Sequence, residues 1–452
     1  MMGDDQDSAV SRRQFLGGAA GAAAGAMVTA SATTACSYGR IRGANDRIQV
    51  GILGCGARAE GLLEMVGMSR KDGNLALRSV CDLWSVNRDK MRALGSARLG
   101  DDARTYKYSE DMLADRELDA VIIATGDHQH ARLLAEVVRA GKDCYCEKPM
   151  ANTLADAKLA RNAVGASDRI VQMGSQWVSD PYHLAAREVV HSGKLGKITQ
   201  LEQSWNYNGP RWHVPRSQNI ARIRQEDTDW NRWLLGRPYR PFDPVVYFEF
   251  RLFEDFSGGI TDQWYSHGSG LAHFFLGTNI PDDTIANGGV FAWHDVRENP
   301  DTFLCVSTFQ ADEVLYRYGS CYANSHGNTT IIRGTRGTLY AVGGEGSPQW
   351  WYAPETYSGW GSNVVFGDSD AMAPAPVPVL PEGVTEIPPT SQSDNSKLHM
   401  DDWVRGMRGR KPCNGSIETG FAHSVAVVMA TRSYREGRKM RWDREREEIV
   451  AL

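Results

Sequence analysis

The 452-residue chain is marked first by what it lacks. It has no basic excess: 50 Lys and Arg stand against 55 Asp and Glu, a net charge of -5, so the electrostatic footprint of a nucleic-acid binder is missing. Its 8 cysteines are too sparse for a disulfide scaffold, and no C-x-x-C pair or Cys/His cluster has zinc-like spacing, so no metal is expected. There is no internal repeat. Beyond the first 35 residues no stretch approaches the roughly 18 to 20 consecutive apolar residues of a membrane span. What remains, 42% hydrophobic and 23% charged residues, is the balance of a globular chain and excludes disordered and fibrous classes. The length allows two or three domains with a core that needs no staples.

The N-terminus departs from this balance. Ser11-Arg12-Arg13-Gln14-Phe15-Leu16 precedes an uncharged run of Gly, Ala and Thr from Gly17 to Ala35, with the small-residue site Ala30-Ser31-Ala32. Such a run has no polar face to offer water, and residues 1–35 resemble a twin-arginine export signal. Cys36, after Thr33-Thr34-Ala35, resembles a lipoprotein cleavage box in which Thr33 replaces the usual leucine-like residue. The expected location is periplasmic, either free or lipid-anchored at Cys36.

From about residue 46 to 175 the pattern predicts a dinucleotide-binding domain. The apolar strand 47–53 runs into Gly54-Cys55-Gly56-Ala57-Arg58-Ala59 and then a helical pattern, which is G-x-G-x-x-A between strand and helix. The first glycine permits the tight turn and the second lets backbone N–H groups approach a pyrophosphate. The small Ala59 lets the helix pack closely on the strand. A second apolar run, Leu75 to Cys81, ends in Asp82, 28 residues after Gly54. A carboxylate there accepts from ribose hydroxyls and repels a 2′-phosphate, so NAD is favoured over NADP. Trp84 either stacks on adenine or packs at the surface. Apolar runs at Val121 to Ala124 and Asp143 to Cys146 alternate with helical patterns at His130 to Ala140 and Thr153 to Val164, which implies a parallel, doubly wound Rossmann sheet. Cys144 and Cys146 lie two apart and share one sheet face, as core residues.

After that strand comes Glu147-Lys148-Pro149-Met150, and before it Ala124-Thr125-Gly126-Asp127-His128-Gln129-His130. With these motifs the chain resembles the glucose-fructose oxidoreductase and inositol dehydrogenase (Gfo/Idh/MocA) family, well over the N-terminal domain and in outline beyond it. The resemblance implies that Lys148 lies beside the nicotinamide and the reacting hydroxyl, and that Pro149 follows a cis bond. From the residues alone, a lysine at the carboxyl end of a parallel strand sits in the crevice where such folds bind ligands. Desolvation and nearby cations would lower its pKa, fitting it to handle a hydroxyl proton. The family's T-P-N-x-x-H loop reads Thr125-Gly126-Asp127-His128-Gln129-His130 here, so His130 matches while Asp127 replaces a family Asn. Gln176, in Gly174-Ser175-Gln176, matches a family glutamine near the nicotinamide. The expected cofactor-binding set is Gly54, Gly56, Ala57, Arg58, Ala59, Asp82, Thr125, His128, His130, Glu147, Lys148 and Gln176.

Residues 176–452 predict an α+β substrate-binding and oligomerisation domain. A helix from Pro181 and a strand from Ile198 precede an aromatic insertion, 206–259, carrying Trp212, Trp230, Trp233, Tyr247, Phe250 and Phe256 among Arg211, His213, Arg216 and Arg251. Such a segment suits a carbohydrate cleft and suits packing between domains or subunits equally. Strand-like runs at 302–309, 314–321, 329–333 and 337–342 suggest an open, largely antiparallel sheet, which serves as a subunit interface in relatives and implies a homo-oligomer. Residues 368–390 read as a connector, and the helical pattern 417–437 as packing back on the body.

Between insertion and sheet stands Asp262-Gln263-Trp264-Tyr265-Ser266-His267, where the family has D-x-x-x-H. On an α-helix four positions leave side chains ~40° apart, but five leave them ~140° apart. His267 is therefore the expected general base and Asp262 the lesser candidate beside Lys148. The resemblance implies hydride transfer between a sugar or polyol hydroxyl and a nicotinamide. Export would carry the cofactor out already bound, so it must be recycled within the site. That is met by reducing a second sugar, or alternatively by a glycoside hydrolase that oxidises, eliminates, hydrates and re-reduces. A cofactor-binding protein without turnover is the third reading.

Overall fold

The computed structural model describes residues 46–210, 220–277, 280–342, 348–355 and 383–452. The expected export signal (residues 1–35), Cys36, Arg211, Trp212, His213, Arg216 and most of the expected 368–390 connector lie outside the described residues.

Strands and helices alternate from the start: β1 (Ile48–Leu53), α1 (Ala57–Gly73), β2 (Leu75–Cys81), α2 (Ser85–Leu99), β3 (Arg104–Tyr106), β4 (Ala120–Ile123), α3 (His130–Arg139), β5 (Asp143–Cys146), α4 (Leu154–Gly165) and β6 (Val171–Met173). The strands form a 6-stranded parallel sheet in the order β3-β2-β1-β4-β5-β6. Every residue of β4 and β5 is buried, as expected of central strands covered on both faces. The order reverses between β1 and β4, so the loops after β1, β4 and β5 open into one crevice. The cysteines of the described residues are thiols, all buried but the half-buried Cys321.

The chain then leaves this sheet through α5 (Pro181–His191), whose start is set by Asp180 accepting from Tyr182 and His183 N–H groups with Pro181 at the first helical position. β7 (Ile198–Ser204) enters a second sheet, and α6 (Ser266–Leu276) covers it. Further strands follow as β8 (Asp283–Gly289), β9 (Thr302–Phe309), β10 (Val314–Cys321), β11 (Thr329–Gly334), β12 (Gly337–Val342), β13 (Gln349–Pro354) and β14 (Thr385–Ile387). With β15 (Met440–Asp443) and β16 (Glu448–Ala451) the order is β14-β13-β12-β11-β7-β10-β9-β8-β15-β16. Only the β7–β10 pairing is parallel; the other recorded pairings are antiparallel. β9 and β10 alternate buried with open positions, turning Phe303, Cys305, Tyr316 and Tyr318 to the core and leaving Leu304 and Leu315 exposed.

Two C-terminal helices bind this sheet to the first. α7 (Asn395–Gly409), which no strong sequence pattern announced, packs on α1. α8 (Ile417–Glu436) is buried at every position from Gly420 to Ala430, so its middle has no solvent face. Its Phe421, Val425, Val428 and Met429 join the core of the first sheet, while Ala426, Val427 and Ala430 join that of the second.

The aromatic insertion makes a third, smaller core. Trp230, Trp233, Val246, Phe250, Phe253 and Phe256 bury one another, with Trp230 and Trp233 stacked at 4.8 Å. Most of these rings thus pack on one another within the insertion, a role that neither the cleft reading nor that of packing between domains or subunits described.

Trp403 of α7 is fully buried, its ring 5.7 Å from that of Tyr145 in β5. Trp403→Ala is expected to cost about 3 to 5 kcal/mol, read as a lowered urea midpoint at unchanged slope. A loss below about 1 kcal/mol would mean that α7 does not close the first core.

Candidate active site

The loop after β1 follows from its glycines. Gly54 has φ +87°, and a Cβ there would lie 2.7 Å from the Ala124 carbonyl group, so only glycine fits. Gly56 is extended, with nothing within 4 Å of where its Cβ would be, and faces open space ahead of α1. Ala59, in the first turn of α1, is buried and lines neither of the spaces described below. Asp82, at the end of β2, accepts from Cys55 N–H (2.7 Å) and Trp84 N–H (2.8 Å), one bond on each carboxylate oxygen. Burial raises its pKa, with these N–H groups and Arg88 opposing.

Ahead of this loop lies a cleft of about 890 Å³, walled by Gly54, Gly56, Ala57, Arg58, Asp82 and Thr125 on one side and by Trp233, Tyr247 and Phe250 of the insertion on the other. Trp84 is buried edge-to-face against Tyr247 (6.5 Å) and lines the cleft as well. The insertion is bound to the loops after β3 and β4: Tyr108 donates to Asp229 (3.0 Å), Arg232 pairs with Glu110, and Gln129 donates to the Trp233 carbonyl (2.6 Å).

A smaller cavity of about 330 Å³ adjoins it, lined by Lys148, His267, Asp127, Glu147, Gln176, His130, Trp177, Trp205 and Trp264 among others. Arg58, Ala124, Thr125, Arg251 and Gln263 line both spaces. Lys148 follows β5, its peptide to Pro149 is cis, and its Nζ donates to the Gln263 carbonyl at 2.6 Å. Burial lowers its pKa to about 8, Arg251 and Arg58 pushing the same way against Asp127 and Glu147. Glu147 pairs with Arg58 at 2.7 Å; burial alone would raise its pKa, but Arg58 and Lys148 outweigh burial and hold it low. Gln176 donates to the Tyr145 hydroxyl (2.8 Å) and to Glu147 (3.3 Å). His130 bridges the carbonyls of Pro149 (2.8 Å) and Thr125 (3.2 Å), fixing the loop after β4 to the segment after β5.

His267 lines the cavity, its ring 4.7 Å from that of Trp177 and 5.6 Å from that of Trp205. Burial first, then Lys148 and Arg58, hold its pKa well below the ordinary value. The imidazole is therefore held in its neutral, proton-accepting form, beside an amine that burial brings to about 8.

Two expected site residues lie elsewhere. His128 lines neither space: its Nε2 bonds the Trp233 carbonyl (3.0 Å), its ring packs on Trp233 and Phe256, and burial lowers its pKa to about 3. It anchors the insertion. Asp262 also lines neither space; its Oδ2 accepts from Gly258 N–H (2.8 Å), and burial, then the charge of Asp127, raises its pKa. It stands in a π-helical turn, Thr261–Tyr265, that runs directly into α6. Gln263, four residues before His267, lines the cavity in place of Asp262, as the ~40° and ~140° separations of four and five positions imply. Gln263 was overlooked, although counting back one helical turn from His267 reaches it. Among the described residues no three His, Cys, Asp or Glu gather as a metal site.

Comparison with known proteins agrees with this geometry. Residues 48–175 match the GFO_IDH_MocA family, described as an oxidoreductase family with NAD-binding Rossmann fold. Inositol 2-dehydrogenase of Rubrobacter xylanophilus is 32% identical over 198 residues, 43% of this chain and 54% of that protein. Inositol 2-dehydrogenase 2 of Saccharopolyspora erythraea is 29% identical over 192 residues, 42% of this chain and 54% of that protein. The chain thus spans about half the length of the curated relatives it matches. Among solved structures, aldose-aldose oxidoreductase from Caulobacter crescentus superimposes with TM-score 0.64 at 16% identity, over 87% of this chain and 99% of that one. The WlbA dehydrogenase of Bordetella pertussis gives TM-score 0.61 at 17% identity, over 88% and 99%. At these identities the likeness establishes the fold.

The two loop glycines are predicted to differ. Gly54→Ala meets both the positive φ and the Ala124 backbone and is expected to cost about 2 kcal/mol by denaturation. Gly56→Ala has no such obstacle and is expected to leave stability within about 0.5 kcal/mol while narrowing the cleft. Equal losses would contradict this account of the loop.

Proposed function

We propose that this chain is an NAD-dependent oxidoreductase that transfers hydride between a CH–OH group of a sugar or sugar derivative and the nicotinamide. The observation that carries this reading is the shared wall of the two spaces: Arg58, Thr125, Arg251 and Gln263 line both the dinucleotide-sized cleft and the cavity holding Lys148. The residues present fit the cofactor. Gly56 leaves open backbone ahead of the α1 N-terminus, which suits a pyrophosphate. Asp82 keeps spare lone pairs for ribose hydroxyls and disfavours a 2′-phosphate. When bound, NAD supplies the hydride acceptor.

The chain's own residues supply the rest. Lys148, as the neutral amine, takes the proton of the substrate hydroxyl and, as the ammonium, returns it in the reverse direction. Neutral His267 holds the hydroxyl by a hydrogen bond, and the rings of Trp177, Trp205 and Trp264 offer apolar faces to a sugar. The insertion, bound to the loops after β3 and β4, supports a cofactor retained through many turnovers. Combined with the twin-arginine reading of residues 1–35, this makes the protein an exported, periplasmic enzyme that carries its NAD out and regenerates it on a second sugar. A homo-oligomer and a lipid anchor at Cys36 belong to the same proposal.

The test is turnover of a panel of polyols and aldoses, alone and in pairs, by wild type and Lys148→Ala. Lys148→Ala is expected to lose at least about 100-fold in kcat while still binding dinucleotide. Oxidation by wild type should rise as pH passes upward through about 8, because the neutral amine is the acceptor. Unchanged turnover in Lys148→Ala would refute the site. A rise near 6.5 that vanishes in His267→Asn would move the proton to His267.

A further inference from the structure

The loop after β4 brings into the cavity a carboxylate that does not line the dinucleotide-sized cleft. Asp127 is 3% exposed, and its Oδ2 accepts from Ser257 Oγ (2.7 Å) and from Gln263 Nε2. The backbone carbonyl of the same Gln263 accepts from Lys148 Nζ. One residue of the π-helical turn thus holds Asp127 with its side chain and Lys148 with its main chain, one helical turn before His267.

We propose that Asp127 is the positioning residue for Lys148: tied to the Gln263 side chain, it fixes the carbonyl on which the amine rests and supplies the amine's counter-charge. Among the groups facing Lys148, it is Asp127 that bonds the Gln263 side chain. Glu147 is committed to Arg58 and Gln176. Arg251 from the insertion and Arg58 from α1 repel the amine, while His267 of α6 and His423 of α8 are held neutral by burial. Asp262, facing Gly258, is itself driven toward its neutral form by burial and by Asp127. An amide at position 263 follows from this arrangement, since it donates to Asp127 where a carboxylate would repel it.

The inference rests on the reading of Lys148 as the proton-handling group, but its test needs no substrate. Intact protein is trace-labelled with acetic anhydride between about pH 6 and pH 10, and acetylation of Lys148 is followed by mass spectrometry, because only the neutral amine reacts. In Asp127→Asn the labelling midpoint is expected to fall by about one pH unit, the effect of removing an opposite charge at close range. Asp127→Glu, which keeps the charge, should recover most of the shift. Should the Asn amide, facing two donors, prevent folding, Asp127→Ala removes the charge without adding a donor and reads the same midpoint. A midpoint unchanged in Asp127→Asn or Asp127→Ala overturns the proposal, as does an Asp127→Glu midpoint that moves as far as that of the neutral variant. If the oxidoreductase reading alone is wrong, the midpoint still moves while Lys148→Ala leaves turnover unaltered.

Discussion

The hydrogen bond from Lys148 Nζ to the Gln263 carbonyl joins the two halves of the site. Lys148 is delivered by β5, the buried strand beside β4 in the parallel sheet, and Gln263 by the turn that opens the helix covering the second sheet. Neither half makes a cavity alone. The bond holds only if both sheets keep their relation, and α8 secures that by giving one face to each core. A buried amine this close to Arg58 and Arg251 is costly unless paired, so the carboxylates of Asp127 and Glu147 are part of the same constraint.

The aromatic insertion adds a second constraint. Its rings first satisfy one another, and only then do Trp233, Tyr247 and Phe250 present faces to the cleft. His128 and Gln129, in the loop after β4, both bond the Trp233 carbonyl, so the insertion is tied to that loop. Opening it would expose aromatic surface and leave buried polar groups unpaired, which favours slow exchange of whatever the cleft holds.

Much of this was legible from the residues, and the rest was not for physical reasons. β2, β5, β9, β10 and β12 fall where apolar runs or strict alternation placed them, because burial on one or two faces writes directly into composition. The loop glycines and Glu147-Lys148-Pro149 were legible because each demands a specific backbone or a specific charge. The Asp262/His267 spacing was legible, since five helical positions turn Asp262 away from the face of His267, while Gln263, four positions before it, was passed over although the same count reaches it. His128 misled because a buried histidine bonded to a carbonyl and a ligand-binding one look alike in sequence. The insertion left two readings open since core and sugar-facing walls draw on the same aromatic residues. α7 went unseen because its partner surface on α1 is distant in the chain.

The central claim is that the cleft and the cavity of Lys148 together hold one dinucleotide, kept in place by the insertion. The most direct measurement is the amount of NAD and NADH released per chain when protein expressed without residues 1–35 is dialysed extensively and then denatured. The account predicts close to one dinucleotide per chain. Protein that releases none, and takes up none when NAD is supplied before dialysis, would contradict it.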